Sequence, residues 1–297
     1  MLLVVDIGGT FIRVGAIDEG SQAPVLEIQR YFTAALDGPD ATMELVNMLG
    51  SYMGRHRLKP SACVLGVPAS FDGAMDEIIR CHNIPAFEGV KLKSELERHL
   101  GLPVYLERDT MLSLLGEASR LDLTGGPTSL GVFFGTGIGG DVLLHNRPYR
   151  VPYAGFELGH IPLAVDGAPC VCGNRGCAEA YANGHLISEI AVSHDIGYED
   201  VFTHWQDGSD LAGCLQRIVE VQALVVASAI TLFNPTWVII GGGIVAMRGY
   251  PRDYFSCLAT SLLREPYPAR TARLVYASLG QDAPFVGGRV RFALEGR

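Results

Sequence analysis

The chain has 297 residues, enough for one large or two medium domains with a substantial core. It is 48% hydrophobic and 19% charged, a globular balance that excludes a disordered chain. A net charge of −9 and a pI of about 5.4 argue against a nucleic-acid or anionic-membrane surface, since either needs a basic patch to displace counterions.

The first predicted unit is "LLVVDIGGTFIRVGAID" (2–18). Its apolar run Leu2–Val5 suits a strand buried on both faces, glycines make a turn, and Phe11–Ile17 resumes a β pattern. No basic segment precedes the run and Asp6 interrupts it, so neither a secretory leader nor a membrane span is expected. Further on, "LERDT" (106–110) places Asp109 before "TMLSLLGEASRL", where it reads locally as a helix N-cap. The strand–glycine–strand grammar then returns in "LGVFFGTGIGGDVLLHNRPY" (130–149), with strand Leu130–Phe134, turn Gly135–Gly140 and return strand Asp141–Leu144. Such turns aim backbone N–H groups at an anion, with no Cβ to block a phosphate. Two of them, one per half, suggest two related α/β domains facing each other across a cleft. Gly135, Gly137 and Gly140 formally match G-x-G-x-x-G, but that fingerprint must open a helix, and here a short strand follows. A Walker A loop is also excluded, because none of the lysines (Lys59, Lys91, Lys93) follows a glycine.

The stretch "GHIPLAVDGAPCVCGNRGC" (159–177) gathers His160, Cys170, Cys172 and Cys177, the donor set of a closed tetrahedral zinc site. A loop of buried free thiols and a catalytic cysteine–histidine pair are the alternatives. The other cysteines are scattered singly among mostly apolar neighbours, and the odd total of seven suggests a reducing cytoplasm rather than a disulfide scaffold. Four protein ligands leave no open position for water, so the metal is expected to brace rather than react. Glu157 and Glu179 flank the cluster, and a zinc brace would fix two carboxylates suited to a polyhydroxyl ligand. Finally, "RIVEVQALVVASAITLFNP" (217–235) has helical spacing and "TWVIIGGGI" (236–244) reads as a strand, Trp237–Ile240, ending in glycines. Any one glycine cluster could be a plain turn; three at strand ends favour a nucleotide site.

With "DIGGT" (6–10), "GTGIGG" (135–140), "ELGH" (157–160), "CVCGNRGCAE" (170–179) and "IIGGG" (239–243) in that order, the chain resembles sugar kinases of the ROK (repressor, open reading frame, kinase) family over nearly its whole length. The resemblance implies an α/β, two-domain actin-like ATPase (sugar kinase) fold with an interdomain cleft. Residues 1–108 would form the N-terminal domain. Residues 109–297 would form a C-terminal domain carrying the zinc site, its last helix free to pack back on the first. The first strand begins at Leu2, leaving no room for the DNA-binding domain of the family's repressors, so the kinase branch is expected.

The same resemblance implies roles for single residues. Asp109 would be the catalytic base. Asn83, Arg108, Glu157, His160 and Glu179 would join it around the sugar, with His160, Cys170, Cys172 and Cys177 holding Zn²⁺. Gly8, Gly9 and Thr10 with Gly135, Thr136 and Gly137 would hold the phosphates of ATP, Gly241 and Gly242 would lie beside the nucleoside, and Asp6 would reach Mg²⁺ through water. Two positions depart from the family pattern, Arg108 for asparagine and Phe156 for glycine. The "RD" at 108–109, "ELGHIPL" (157–163) and "REPYP" (264–268) are most similar to the family's allose-phosphorylating members, which implies D-allose as the substrate, phosphorylated at its 6-hydroxyl. Glucose, fructose and N-acetylmannosamine are the alternative substrates, and a cytoplasmic homodimer is expected. A non-catalytic sugar sensor and a zinc-dependent hydrolase are the readings from other classes.

Overall fold

In a computed structural model of the chain, residues 1–121, 128–153, 155–206 and 208–295 are described. The chain divides into two compact units, Met1–Asp122 with Arg147–Gly155 and Gln281–Arg297, and Leu123–Asn146 with Phe156–Gly280.

In chain order, unit 1 contains β1 (Leu2–Ile7), β2 (Phe11–Ile17), β3 (Gln29–Phe32), α1 (Ala41–Arg55), β4 (Ala62–Val67), β5 (Ser70–Phe71), β6 (Ile78–Arg80), α2 (Leu92–Leu100), β7 (Val104–Arg108) and α3 (Asp109–Ala118). Its sheet has the order β3-β2-β1-β4-β7. The apolar run at 2–5 fits this place: β1 is buried along its whole length, antiparallel to β2 and parallel to β4. The β1–β2 register pairs Ile7 with Ile12 and Asp6 with Arg13, which fixes the glycine turn between them. One sheet face packs on α1 through Leu3, Val5, Leu45, Leu49 and Tyr52.

Unit 2 contains β8 (Thr128–Phe134) and β9 (Ile138–Leu144), after which β10 (Arg147–Pro148) opens the segment 147–155 that belongs to unit 1. It continues with α4 (Glu179–Ala182), α5 (Gly184–Ser193), α6 (Asp210–Phe233), β11 (Trp237–Gly241), α7 (Arg252–Ser261) and β12 (Arg273–Tyr276). Its long strands run β9-β8-β11-β12, with β8 antiparallel to β9 and parallel to β11. The second glycine turn is shorter than expected, because Gly139 and Gly140 pair with Phe133 and Val132 in the ladder. Helix α6 begins seven residues before the predicted start at Arg217, where the Ser209 side chain caps it by accepting from Ala212 N–H. It is also long and apolar enough to cross a membrane, but 56% of that apolar window is buried inside the protein. Its buried face, including Leu215, Val219, Val226 and Ile230, makes it a core helix.

The last helix, α8 (Ala283–Ala293), lies in unit 1. The expected boundary after Arg108 is corrected by this helix. A Cβ on Gly116 would fall 2.0 Å from the Ala283 carbonyl oxygen, and one on Gly287 would fall 1.8 Å from that of Leu112. Glycine at both places lets α3 and α8 touch backbone to backbone, which carries residues 109–121 into unit 1. On its other side α8 lays Phe285 against Gly15 of β2.

Candidate active site

The two units each bring together part of the predicted set. In unit 1 the turn after β1 closes with Gly8 N–H donating to the Phe11 carbonyl at 2.9 Å. The Thr33 hydroxyl donates to the Gly8 carbonyl at 2.7 Å, and Thr33 N–H donates to that of Thr10 at 3.0 Å. Asp6, 3% exposed, accepts from Arg13 Nε at 2.9 Å and from the other end of the same guanidinium. Burial raises the Asp6 pKa above its ordinary value, and the Arg13 charge opposes that only in part. Arg13 escaped the sequence reading, although the register of a hairpin turning at Gly8–Thr10 sets it opposite Asp6.

Asp109 is the first residue of α3 rather than its cap; Arg108, extended at φ −69° and ψ 142°, holds the cap position. A carboxylate there faces the positive end of the helix. Its charge is felt at buried Cys81, whose thiol is pushed up to about 11, mainly by burial and in part by Asp109. The Cys81–Ile84 turn that feels this charge carries Asn83, which is exposed. Arg108 follows a carboxylate at the end of β7 that the sequence reading passed over. Glu107, 2% exposed, accepts from Arg150 Nη2 at 2.5 Å and from Arg291 Nε of α8 at 3.1 Å.

In unit 2 the turn Gly135–Gly137 is built from two directions. The Ile138 N–H donates to Glu179 Oε2 at 2.7 Å, and the Gly184 N–H at the start of α5 donates to the Gly135 carbonyl at 2.9 Å. The Glu179 carboxylate lies so close that a Cβ on Gly137 would fall 2.3 Å from Oε2. Glu179 thus shapes the turn that the sequence assigns to phosphate. Asn183 caps α5 by accepting from Leu186 N–H at 2.8 Å, a third residue that pattern reading missed. Gly242 after β11 meets the end of β8, just before this turn: it has φ +97°, and a Cβ there would fall 2.2 Å from the Phe134 carbonyl oxygen. Glu157 is exposed, and Phe156 before it packs edge-on against Phe233 of α6, ring centres 5.0 Å apart.

The ligand atoms of His160, Cys170, Cys172 and Cys177 all lie within 4.8 Å of one another. Cys172 and Cys177 sulfurs are 3.7 Å apart, and Cys170 Sγ is 3.5 Å from His160 Nδ1. A tetrahedron with Zn–S bonds of about 2.3 Å requires sulfurs roughly 3.8 Å apart, so the donor set and its spacing fit zinc. The knuckle is tied by Cys170 N–H to the Asn174 carbonyl at 2.9 Å and by Gly176 N–H to that of Ala168 at 2.8 Å. From Cys177 the chain runs one residue to Glu179. The His–Cys cluster, the acidic side chain and the glycine turn are therefore one connected structure.

A sequence model of the ROK family matches residues 2–293. The chain is 29% identical over 255 residues to the N-acetyl-D-glucosamine kinase of Aliivibrio salmonicida, spanning 80% of this chain and 83% of that protein. The ROK family glucokinase of Streptomyces griseus, solved with glucose and AMPPNP, superposes at a TM-score of 0.81 with 24% identity over 97% of this chain and 98% of its own. For the ROK hexokinase of Thermus thermophilus the TM-score is 0.75 and the identity 25%, over 100% of this chain and 99% of that one. The fold is the two-lobed α/β architecture of these kinases. None of these similarities points to D-allose; the kinases they name act on other sugars. Arg108, one of the two departures from the family pattern, has its guanidinium packed on the backbone of Gly155, where a Cβ would fall 1.1 Å from Nη1.

Proposed function

Since this chain belongs to the ROK family and is an ATP-dependent sugar kinase, we propose that it phosphorylates the 6-hydroxyl of a glucose-configured hexose, N-acetyl-D-glucosamine before glucose. The observation that carries the reading is the position of Asp109. It opens α3 at the end of β7, where a carboxylate can take the proton of a primary hydroxyl as its oxygen attacks the γ-phosphorus. Phosphoryl transfer asks for positioning and charge compensation more than covalent chemistry, and two backbone turns with a single base meet that demand. The amides of Gly8–Thr10 and Gly135–Gly137 hold the polyphosphate, and Gly241 and Gly242 let the nucleoside approach. Glu157 and Asn83, both exposed, hydrogen-bond the sugar.

Mg²⁺, when bound, would offset the charge of the phosphates. Asp6 is already gripped by Arg13, so it fits an outer contact through water rather than direct ligation. Zinc at His160, Cys170, Cys172 and Cys177 is structural, with all four positions filled by protein. The test is ADP release measured across N-acetylglucosamine, glucose, N-acetylmannosamine, fructose and allose, with the product identified by NMR. The highest kcat/KM is expected for N-acetylglucosamine. A clear preference for fructose, or no ADP release with any hexose, would count against the reading.

A further inference from the structure

Residues 147–155 form a strap that belongs to unit 1 while the chain on both sides of it belongs to unit 2. Three contacts hold the strap to the rest of unit 1. Arg150 Nε and Nη2 donate to Glu107 Oε2 at 3.2 and 2.5 Å. Tyr153, at φ +66°, donates its N–H to the Phe71 carbonyl at 2.9 Å. The Arg108 guanidinium packs on Gly155. Two of the three contacts end on consecutive residues, Glu107 and Arg108, and the next residue is Asp109.

Glu107 has a second arginine. Arg291 of α8, its side chain only 7% exposed, donates Nε to the same oxygen, while Glu107 Oε1 accepts from the Arg108 N–H at 3.2 Å. A buried carboxylate so surrounded ties its own strand to two segments that are 43 and 184 residues from it in sequence. A charge taken out of water needs a partner, and Arg291 supplies the buried one of its two arginines.

We propose that Glu107 is a positioning residue for the transfer step and that Arg150 is the partner through which it acts. The pair fixes the β7–α3 junction under Asp109 and pins the strap two residues before Glu157, while Arg291 mainly supports the fold. The proposal rests on the reading of Asp109 as the base.

The experiment compares Arg150→Gln, Arg150→Lys, Glu107→Gln and Asp109→Asn in the full chain, using ADP release with the best hexose of the screen together with thermal melting. The Arg150 side chain is 38% exposed, so Arg150→Gln is expected to fold and to melt near the parent temperature. Its kcat is expected to fall by about 10- to 100-fold, the scale of a base displaced by roughly 1 Å, with KM for ATP unchanged. Arg150→Lys keeps the charge but not the fork and should recover part of that loss. Glu107→Gln should lose kcat to at least the same degree; if it fails to fold, the Arg150 pair decides alone. An Arg150→Gln enzyme with kcat and sugar KM within about twofold of the parent, beside an inactive Asp109→Asn, overturns the positioning proposal and leaves the base standing. An Asp109→Asn enzyme with normal turnover overturns both.

Discussion

The glycine turns after β1 and after β8 share a grammar in the sequence but are held in opposite ways. The first leans on its own neighbourhood: Thr33 grips the carbonyl of Gly8, and Asp6 is paired across the hairpin with Arg13. The second is shaped from a distance by Glu179, 41 residues on, and by the start of α5. The lesson is that similar glycine-turn sequences need not be similarly autonomous. One turn is held by residues 6–33 of its own meander, whereas the other depends on a side chain that sits beside the His–Cys knuckle.

If both turns only hold phosphates, the largest loss must come from outside them. Asp109→Asn keeps the size of the side chain but removes its basic oxygen, and turnover is expected to fall at least about 100-fold. Binding of ATP, followed by calorimetry, should change far less. A loss shared equally between kcat and ATP affinity would return the chemistry to the turns.

Next comes the dependence of the second turn on its metal. Cys172→Ser is expected to lose zinc by elemental analysis and to lower the melting temperature by about 5–10 °C, a few kcal/mol for a unit of this size. It should also raise KM for ATP, because Glu179 and the knuckle move together. A protein purified without chelator that contains no zinc would break the link between metal and turn.

The comparison sharpens further at single glycines. Gly137→Ala pushes a methyl group onto the Glu179 carboxylate and should cost about 1–3 kcal/mol in stability. A Cβ on Gly8 meets only the Phe11 carbonyl at 3.4 Å, an ordinary contact, so Gly8→Ala should melt close to the parent. Equal melting of the two variants would mean that the turns are equally autonomous.

The smallest expected effect belongs to Asp6. Its native pKa lies above the 3.8 of an ordinary aspartate, so the folded protein takes up this proton before the unfolded chain does as pH falls. The stability it contributes is complete below pH 3.8 and declines as pH rises through the native pKa. Urea midpoints measured across that window should decline less steeply for Asp6→Asn than for the parent.

Much of this was legible from residues alone, and what was not follows a physical pattern. Leu2–Val5 reads as a two-faced buried strand because nothing polar interrupts it. The four metal ligands read as a site because donor chemistry and spacing are local. Asp109 sits one position inside the helix instead of capping it, a difference set by the backbone of Arg108. The membership of α3 in unit 1 was hidden, since it depends on Gly116 and Gly287 meeting backbones that lie 167 and 175 residues away in sequence. Glu107 was hidden for the same reason: its partners Arg150 and Arg291 carry no pattern that links them to it before the chain is folded. D-allose was read from short identities such as "REPYP", and similarity over four-fifths of the chain outweighs them.

The return of α8 to unit 1 also sets an order of events during synthesis. Unit 1 starts first at the ribosome, yet Phe285 must cover Gly15 and Arg291 must reach buried Glu107 before its sheet is closed. Those residues are made after unit 2. Nearly all of unit 2 lies between residues 123 and 280 and has left the ribosome by then. The domain translated second is therefore the first with a complete set of contacts, and the nascent β1–β2 hairpin waits with an apolar face uncovered.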